Sequence, residues 1–390
     1  MEVRKLKPEE HFEANLISTV AFHMKMEDPE KNREESLKSQ DEDWGAFSDD
    51  GKIMARIINN HYESRLDGQR VRNGGIGAVS TLPEYRNTGA VKAIFEELIP
   101  EARRNGEIIS TLYPFNHAFY RKFGYETVRW RDHYEFAPAV LKGYRFSGTA
   151  ELWKPGDPVG EYTALYNRFA DGFNLAMYRD DEMMLKLIRG EYYKDRKFCY
   201  LLRENGKTVA YLIFQDIRND PAAILNVQDL AWDGREGFLA ILGFLGRFTA
   251  DYGTIRMFLP SCLQLLSVIQ TPMAYEIQQT ATQGYMIRAV NVKRLLEIIK
   301  KPDDSRFVIR VEGDAQIPEN NGTWAVSGGS AELTDEAPDL TVSVQALGQM
   351  AAGAVDLAEA LYRPDVAVAG NRAVLEKVFV RKPILVEDHF

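Results

Sequence analysis

Apolar residues recur along the chain at two spacings, and the change from one to the other marks its central unit. From Ile76 to Leu82 the run Ile-Gly-Ala-Val-Ser-Thr-Leu is rich in β-branched residues and stops at Pro83. Proline has no N–H to donate to a ladder, so the run reads as a strand that ends there. Beyond a short polar loop, Val91, Ile94, Phe95, Leu98, Ile99 and Ala102 fall on one face at helical spacing, which predicts a helix beginning near Gly89. A second strand is predicted from Ile108 to Leu112. Asn116 then suits the N-cap of a short helix to Lys122, with Gly124 as its stop. Earlier, Phe12, Leu16, Ile17, Val20 and Ala21 predict an amphipathic helix over 9–24. Asp50-Gly51 and Asp67-Gly68 predict hairpin turns, so antiparallel strands precede the central one.

Strand, tight loop and helix together have a chemical consequence. The first N–H groups of a helix lack partners inside it, and the helix dipole adds positive potential there. A loop of small residues at that point is an anion site, and Asn87, Thr88, Gly89, Ala90 and Val91 sit at this mouth. Arg86 adds a charge-assisted contact or holds the loop. Gly89 alone serves equally well as a conformational glycine.

The Arg-x-x-Gly loop after a strand, with Phe119-Tyr-Arg-Lys-Phe-Gly-Tyr125 about thirty residues later, resembles the GCN5-related N-acetyltransferase superfamily, whose members bind acetyl-CoA. Val91 stands where that family usually has Gly or Ala. The resemblance implies that Val79, Ser80 and Thr81 offer main-chain groups to the pantetheine arm, that Arg86, Asn87, Thr88, Gly89, Ala90, Val91 and Lys92 cradle the pyrophosphate, and that Phe115 and Asn116 flank the arm. It also puts Tyr120 at the position of the general acid. A phenol of pKa near 10 stays protonated at neutral pH and can protonate a departing thiolate.

A faint repeat follows. Trp153-Lys-Pro-Gly-Asp-Pro158 reads as a linker, and Asp50-Gly-Lys-Ile-Met-Ala55 is echoed by Asn205-Gly-Lys-Thr-Val-Ala210. A strand over 225–232 and a helix over 237–250 complete the second copy. Aligning Gly237 with Gly89 puts Gly234 where Arg86 stands and Glu236 beside the would-be phosphates, a like-charge conflict, so the copy reads as degenerate. From Gly284 onward, predicted strands at 306–312, 322–327 and 340–344 alternate with apolar helices at 292–300, 346–352, 357–361 and 371–380. This part resembles the sterol carrier protein fold.

The expected fold class is therefore α/β (α+β): an N-terminal acetyltransferase domain over 1–150, a degenerate second one over 151–283, and a sterol carrier-like α+β domain over 284–390. In that order the three parts resemble the Eis family of N-acetyltransferases over essentially the whole chain. The resemblance implies acetyl transfer from acetyl-CoA to an amine, of the aminoglycoside or polyamine type or a lysine side chain, by direct attack. It further implies a hexamer and makes the terminal carboxylate of Phe390 the general base. A carboxyl of pKa near 3.5 matches an alkylammonium poorly, so that group acts by positioning, through a water, or with its pKa raised by burial. Glu387 and Asp388 are close enough in sequence to assist.

The net charge of −9 disfavours nucleic acid, which needs basic patches, and agrees with a small cationic amine as partner or simply with solubility. The polar segment 25–43 reads as an acidic rim over an amine pocket or as a solvated face. No apolar run approaches a membrane span, and the start lacks a signal core, so no membrane partner and a cytoplasmic location are expected. Cys199 and Cys262 have no metal-type spacing, no histidines pair as ligands, and neither cysteine lies near the motif, so no metal and no cysteine intermediate are expected. Two other functions fit parts of the chain: lipid or sterol carriage by the C-terminal domain, and long-chain acyl transfer to a peptide terminus, since N-myristoyltransferases also pair two such folds.

Overall fold

The computed structural model describes residues 1–38, 42–219, 222–269, 276–302 and 305–386. Contacts divide the chain into two units, Met1–Val128 with Gly284–Arg381, and Arg129–Gln283 with 382–386. The first unit opens with β1 (Glu2–Lys5), α1 (His11–Ala21), α2 (Pro29–Ser36), β2 (Glu42–Phe47), β3 (Ile53–Leu66), β4 (Gln69–Thr81), α3 (Ala90–Arg104), β5 (Ile109–Leu112) and α4 (His117–Arg121). Asp67 and Gly68, both at positive φ, make the tight turn between β3 and β4. The strands lie in the order β1-β2-β3-β4-β5, antiparallel except for the parallel pair β4 and β5. The predicted stripe of α3 is buried on this sheet with Ala46, Ile57 and Ile76, and Val91 at its end is half-buried.

Helix α1 departs from the expectation. Leu16 and Val20 are exposed, while His11, Ala14, Ile17 and Ser18 face inward. The reason is polar. Arg56 on β3 is buried against Asp43 on β2, its Nη1 donates to Asn15 Oδ1 at 2.6 Å and Ser18 Oγ at 3.3 Å, and Ser18 meets Ser80 Oγ at 3.2 Å. A buried cation keeps its partners, so the polar edge of α1 turns in.

The second unit contains most of β6 (Glu126–Phe136), then β7 (Thr149–Leu152), α5 (Gly160–Ala170), α6 (Asp181–Ile188), α7 (Tyr192–Asp195), β8 (Lys197–Glu204), β9 (Lys207–Asn219), β10 (Ala222–Trp232), α8 (Gly234–Leu245), β11 (Thr254–Pro260) and α9 (Leu265–Val268). Its strand order is β6-β11-β10-β9-β8-β7, and β10 runs parallel to β11 as β4 does to β5. The Trp153–Pro158 stretch is a turn that follows β7, which pairs with β8, and its Trp153 is buried. Gly148, just before β7, lets the chain pass against the Arg203 carbonyl with no room for a side chain.

The remaining elements are β12 (Ile277–Ala289), α10 (Val292–Ile298), β13 (Arg306–Glu312), β14 (Gly322–Ser327), β15 (Ser330–Leu333), β16 (Leu340–Ser343), α11 (Val344–Ala352), α12 (Leu357–Ala360), β17 (Val366–Val368) and α13 (Arg372–Val378). Met286–Ala289 of β12 pair antiparallel with β5 and extend the first sheet. Strands β15-β14-β13-β16-β17 form a separate five-stranded sheet, whose Phe307 meets Phe379 edge to face at 5.9 Å. Mixed α/β sheets thus build the whole chain, with a sheet-and-helix pattern that recurs in the first two parts.

Candidate active site

The site starts where β4 leaves β5. The two strands pair over Asn73–Ile76 and Ile109–Leu112 only, while β4 runs on to Thr81. Along β3 the register shifts between Arg56 and Ile58, so Ala78 and Val79 stand opposite the single residue Ile57, and Ala78 takes φ 51. This bulge kinks β4 beside the gap. Half-buried Val79 and Thr81 and buried Ser80 lie on it, and the Ser18–Ser80 contact ties the bulge to α1. A peptide-like arm laid along Gly77–Thr81 would meet free edge of β4, as an added strand does.

The chain then turns through Pro83–Tyr85 into α3. Asn87 and Gly89 both take left-handed conformations, φ 66 and φ 85, and Gly89 is the N-cap, with no side chain capping the helix. Alternating backbone handedness curls successive N–H groups toward one side, which suits an anion. Arg86, Asn87, Thr88, Gly89 and Lys92 are exposed, Ala90 is buried, and Val91 is half-buried beside the core of α3. Among the described residues Arg86 forms no ion pair, whereas Lys92 reaches Glu96 at 3.5 Å. Thr88 instead shapes the loop, its hydroxyl donating to the Tyr85 carbonyl at 2.7 Å.

Helix α4 carries the phenol. Asn116 Oδ1 accepts from the Phe119 N–H at 3.0 Å, the predicted N-cap. At the other end Tyr125 N bonds the Tyr120 carbonyl and Gly124 N bonds that of Arg121, with Gly124 at φ 83, a Schellman ending. Tyr120 is 1% exposed and lies among the rings of Phe95, Phe115, Phe119 and Tyr125, with centroids 5.2–6.3 Å away. Burial, and then the nearby Tyr125 phenol, push its pKa well above the ordinary tyrosine range. Phe115, 71% exposed, forms an aromatic lip over this buried group. The structure thus joins Phe115 and Tyr120 directly, and joins Tyr120 to α3 through Phe95. It places Val79–Thr81 on the strand in front of that helix. Phe390, Glu387 and Asp388 lie outside the described residues.

The corresponding place in the second unit is closed. The N-cap of α8 is Asp233 rather than a glycine, so the helix starts earlier than the alignment of Gly237 with Gly89 implies. Gly237 lies inside α8, against the Val209 carbonyl. The bulge of β10 at Val227 and Asp229 is filled from within: Asp229 Oδ2 accepts from Arg179 Nη1 at 2.8 Å and from the Tyr211 hydroxyl at 2.6 Å, all three side chains being buried. A carboxylate at the helix mouth repels phosphate, and an ion pair occupies the bulge.

Several residues that the sequence reading did not single out hold the site. Ser18 could have been found from its i+4 spacing to Ala14 on the inward face of α1. Others come from beyond residue 283. Between α1 and α2, Glu27, Asp28 and Glu35 line a cavity of about 290 Å³ that they share with Lys25 and Lys31, so carboxylates alone do not set its field. Among the described residues no group of three or more His, Cys, Asp or Glu is arranged to hold a metal ion, and no helix is long and apolar enough to cross a membrane.

Residues 2–128 match the acetyltransferase (GNAT) domain family, and residues 292–385 match the sterol carrier protein domain family. A Streptomyces coelicolor protein described as an uncharacterized N-acetyltransferase is 24% identical over 351 residues, 82% of each chain. Two crystal structures share the fold over the full length of both chains: a GCN5-related N-acetyltransferase from Anabaena variabilis, 20% identical with a TM-score of 0.86, and Eis1 from Mycobacterium abscessus, 19% identical with a TM-score of 0.83.

Proposed function

From the premise that this chain is an acyltransferase enzyme carrying a GNAT acetyltransferase domain and a sterol carrier protein domain, we propose that it moves the acetyl group of acetyl-CoA to an amine, with Tyr120 as general acid. The neutral amine nitrogen attacks the thioester carbonyl, the carbon–sulfur bond breaks, and the thiolate takes the Tyr120 proton. The proton lost by the attacking nitrogen goes to a base, for which we propose the Phe390 carboxylate. Val79, Ser80 and Thr81 hold the pantetheine arm, Arg86 to Lys92 the pyrophosphate, and Phe115 and Asn116 the arm's far side. On the same reading the N-terminal domain, the degenerate copy and the C-terminal domain follow the divisions 1–150, 151–283 and 284–390, and the enzyme works in the cytoplasm as a homo-oligomer, a hexamer by resemblance.

One observation carries this reading. The parting of β4 from β5 at Ile76 stands beside the helix N-terminus at Gly89 and a buried, protonated phenol in the same domain, whereas in the second domain the Arg179–Asp229 pair fills the strand bulge and Asp233 stands at the helix mouth. Free-thiol release from acetyl-CoA, measured over a panel of aminoglycosides, polyamines and lysine peptides, tests it. Tyr120→Phe should lower kcat by about 10²-fold or more with little change in KM for acetyl-CoA. Unchanged turnover removes Tyr120 from the mechanism. Faster turnover of myristoyl-CoA than of acetyl-CoA overturns the choice of acyl group, and full activity after several residues are added beyond Phe390 removes the terminal base.

A further inference from the structure

Helix α4 has only five residues, too few to hold its own shape in water. Its front end has Asn116. Its back end and the strand it enters are held by four side chains from the segment that follows Gly284. Gln345 Nε2 donates to the Arg121 carbonyl at 3.0 Å, and Gln349 Nε2 to that of Thr127 at 2.7 Å. Arg288 Nη1 donates to the Phe123 carbonyl while its Nη2 is held by Asp314 Oδ1 at 2.7 Å, both side chains fully buried. Arg363 Nη1 donates to Glu126 Oε2 at 2.9 Å and to Gln349 Oε1 at 3.2 Å, and the same Glu126 takes Arg121 of α4. Ile317 completes the set from the apolar side, buried in one core with Tyr120, Phe123 and Tyr125.

The Arg121 carbonyl already takes the Schellman bond from Gly124, and a second donor on its remaining lone pair helps fix where the helix stops and how it is rotated. Gly124 shows that the fit is mutual. Besides its left-handed turn, it leaves the space that the Arg288 guanidinium fills, because a Cβ there would overlap Nη1. We infer that the sterol carrier-like domain serves as a clamp on the general-acid helix, with Gln345, Gln349 and Arg363 as positioning residues and Arg288–Asp314 as the buried anchor that joins β12 to that domain. This rests on the assignment of Tyr120 as the acid, since a phenol misplaced by about 1 Å loses on the order of 10²-fold in rate.

The test uses the full chain with Gln345→Glu and Gln349→Glu, which keep side-chain size and remove the donors, and with Gln345→Lys, which restores a donor at one position. Amide hydrogen exchange over residues 117–127 is read beside kcat, KM for acetyl-CoA and CoA affinity. The double Glu variant should exchange roughly tenfold faster over 117–127 and lose on the order of tenfold in kcat, with KM and CoA affinity within about twofold of the parent. Gln345→Lys should recover most of the protection at the Arg121 end. Unchanged exchange overturns the clamp. Faster exchange with undiminished kcat, where Tyr120→Phe is inactive, overturns its role in catalysis. If Tyr120→Phe proves fully active, the acid assignment falls and the exchange data alone decide whether the domain holds the helix.

Discussion

Gly89 and Gly124 sit at nearly the same backbone angle, φ 85 and φ 83, and differ in what surrounds them. A Cβ on Gly89 would meet nothing within 4 Å, whereas one on Gly124 would lie 3.0 Å from Arg288 Cζ and overlap Nη1. Alanine in the left-handed region costs about 1–2 kcal/mol at either position. At Gly124 the side chain must also push Arg288 off the Phe123 carbonyl and away from Asp314, and an uncompensated buried charge costs about 3–5 kcal/mol. Gly89→Ala should therefore lose about 1–2 kcal/mol and Gly124→Ala about 4–7 kcal/mol, a third or more of the stability of a typical domain. With a urea slope of about 2 kcal/mol/M, the midpoints fall by about 0.5–1 M and by about 2–3.5 M. Urea titrations of the two variants in parallel, followed by circular dichroism, measure the difference. Equal midpoint shifts would show that Arg288 yields freely and would refute the reasoning.

Three further outcomes follow from other parts of the molecule. Asp229→Ala leaves Arg179 buried without its carboxylate and should destabilise the second unit by about 3–5 kcal/mol, seen as a lower thermal midpoint, while kcat per folded molecule stays at the parent value. Burial pushes the Glu126 carboxyl up, but hydrogen bonds from Arg121, the Thr127 N–H and Arg363 outweigh it and hold the group below the usual range. A depressed carboxylate contributes stability above its unfolded pKa of about 4.3 that is lost as pH falls through the lower folded value, so the urea midpoint should drop below about pH 4 and do so less steeply in Glu126→Gln. Tyr120, with its pKa raised by burial and then by Tyr125, keeps its proton through pH 10 in the folded state. A phenolate absorbance change with a midpoint below pH 9 that vanishes in Tyr120→Phe would contradict this.

Much of the first domain was legible because its signals are local. The α3 stripe, Asn116 as N-cap, Gly124 as a stop and the two Asp-Gly turns depend only on near neighbours, and each stands where the pattern put it. Helix α1 was misread on its inward face because hydrophobic spacing takes no account of a buried Arg56, whose partners had to come from that helix. The closure of the second domain was half visible. Glu236 gave the right sign of charge at the helix mouth, but the plug of Arg179, Tyr211 and Asp229 joins residues up to 50 positions apart and has no local signature. Gln345 and Arg288 are more remote still, 224 and 165 positions from the carbonyls they serve, and nothing in their own neighbourhood marks them.

The first sheet takes its last strand from residues 286–289, after residues 129–283 of the second unit have been threaded through the chain. During synthesis the N-terminal domain must therefore wait with the outer edge of β5 open, while the intervening unit, nearly contiguous in sequence, can fold as it leaves the ribosome. An open strand edge is a template for pairing with other chains. A fragment ending near residue 128 would keep the Asn87–Gly89 loop and the Tyr120 phenol yet expose that edge permanently. Shortened versions of the enzyme should thus fail by aggregation before they fail in chemistry.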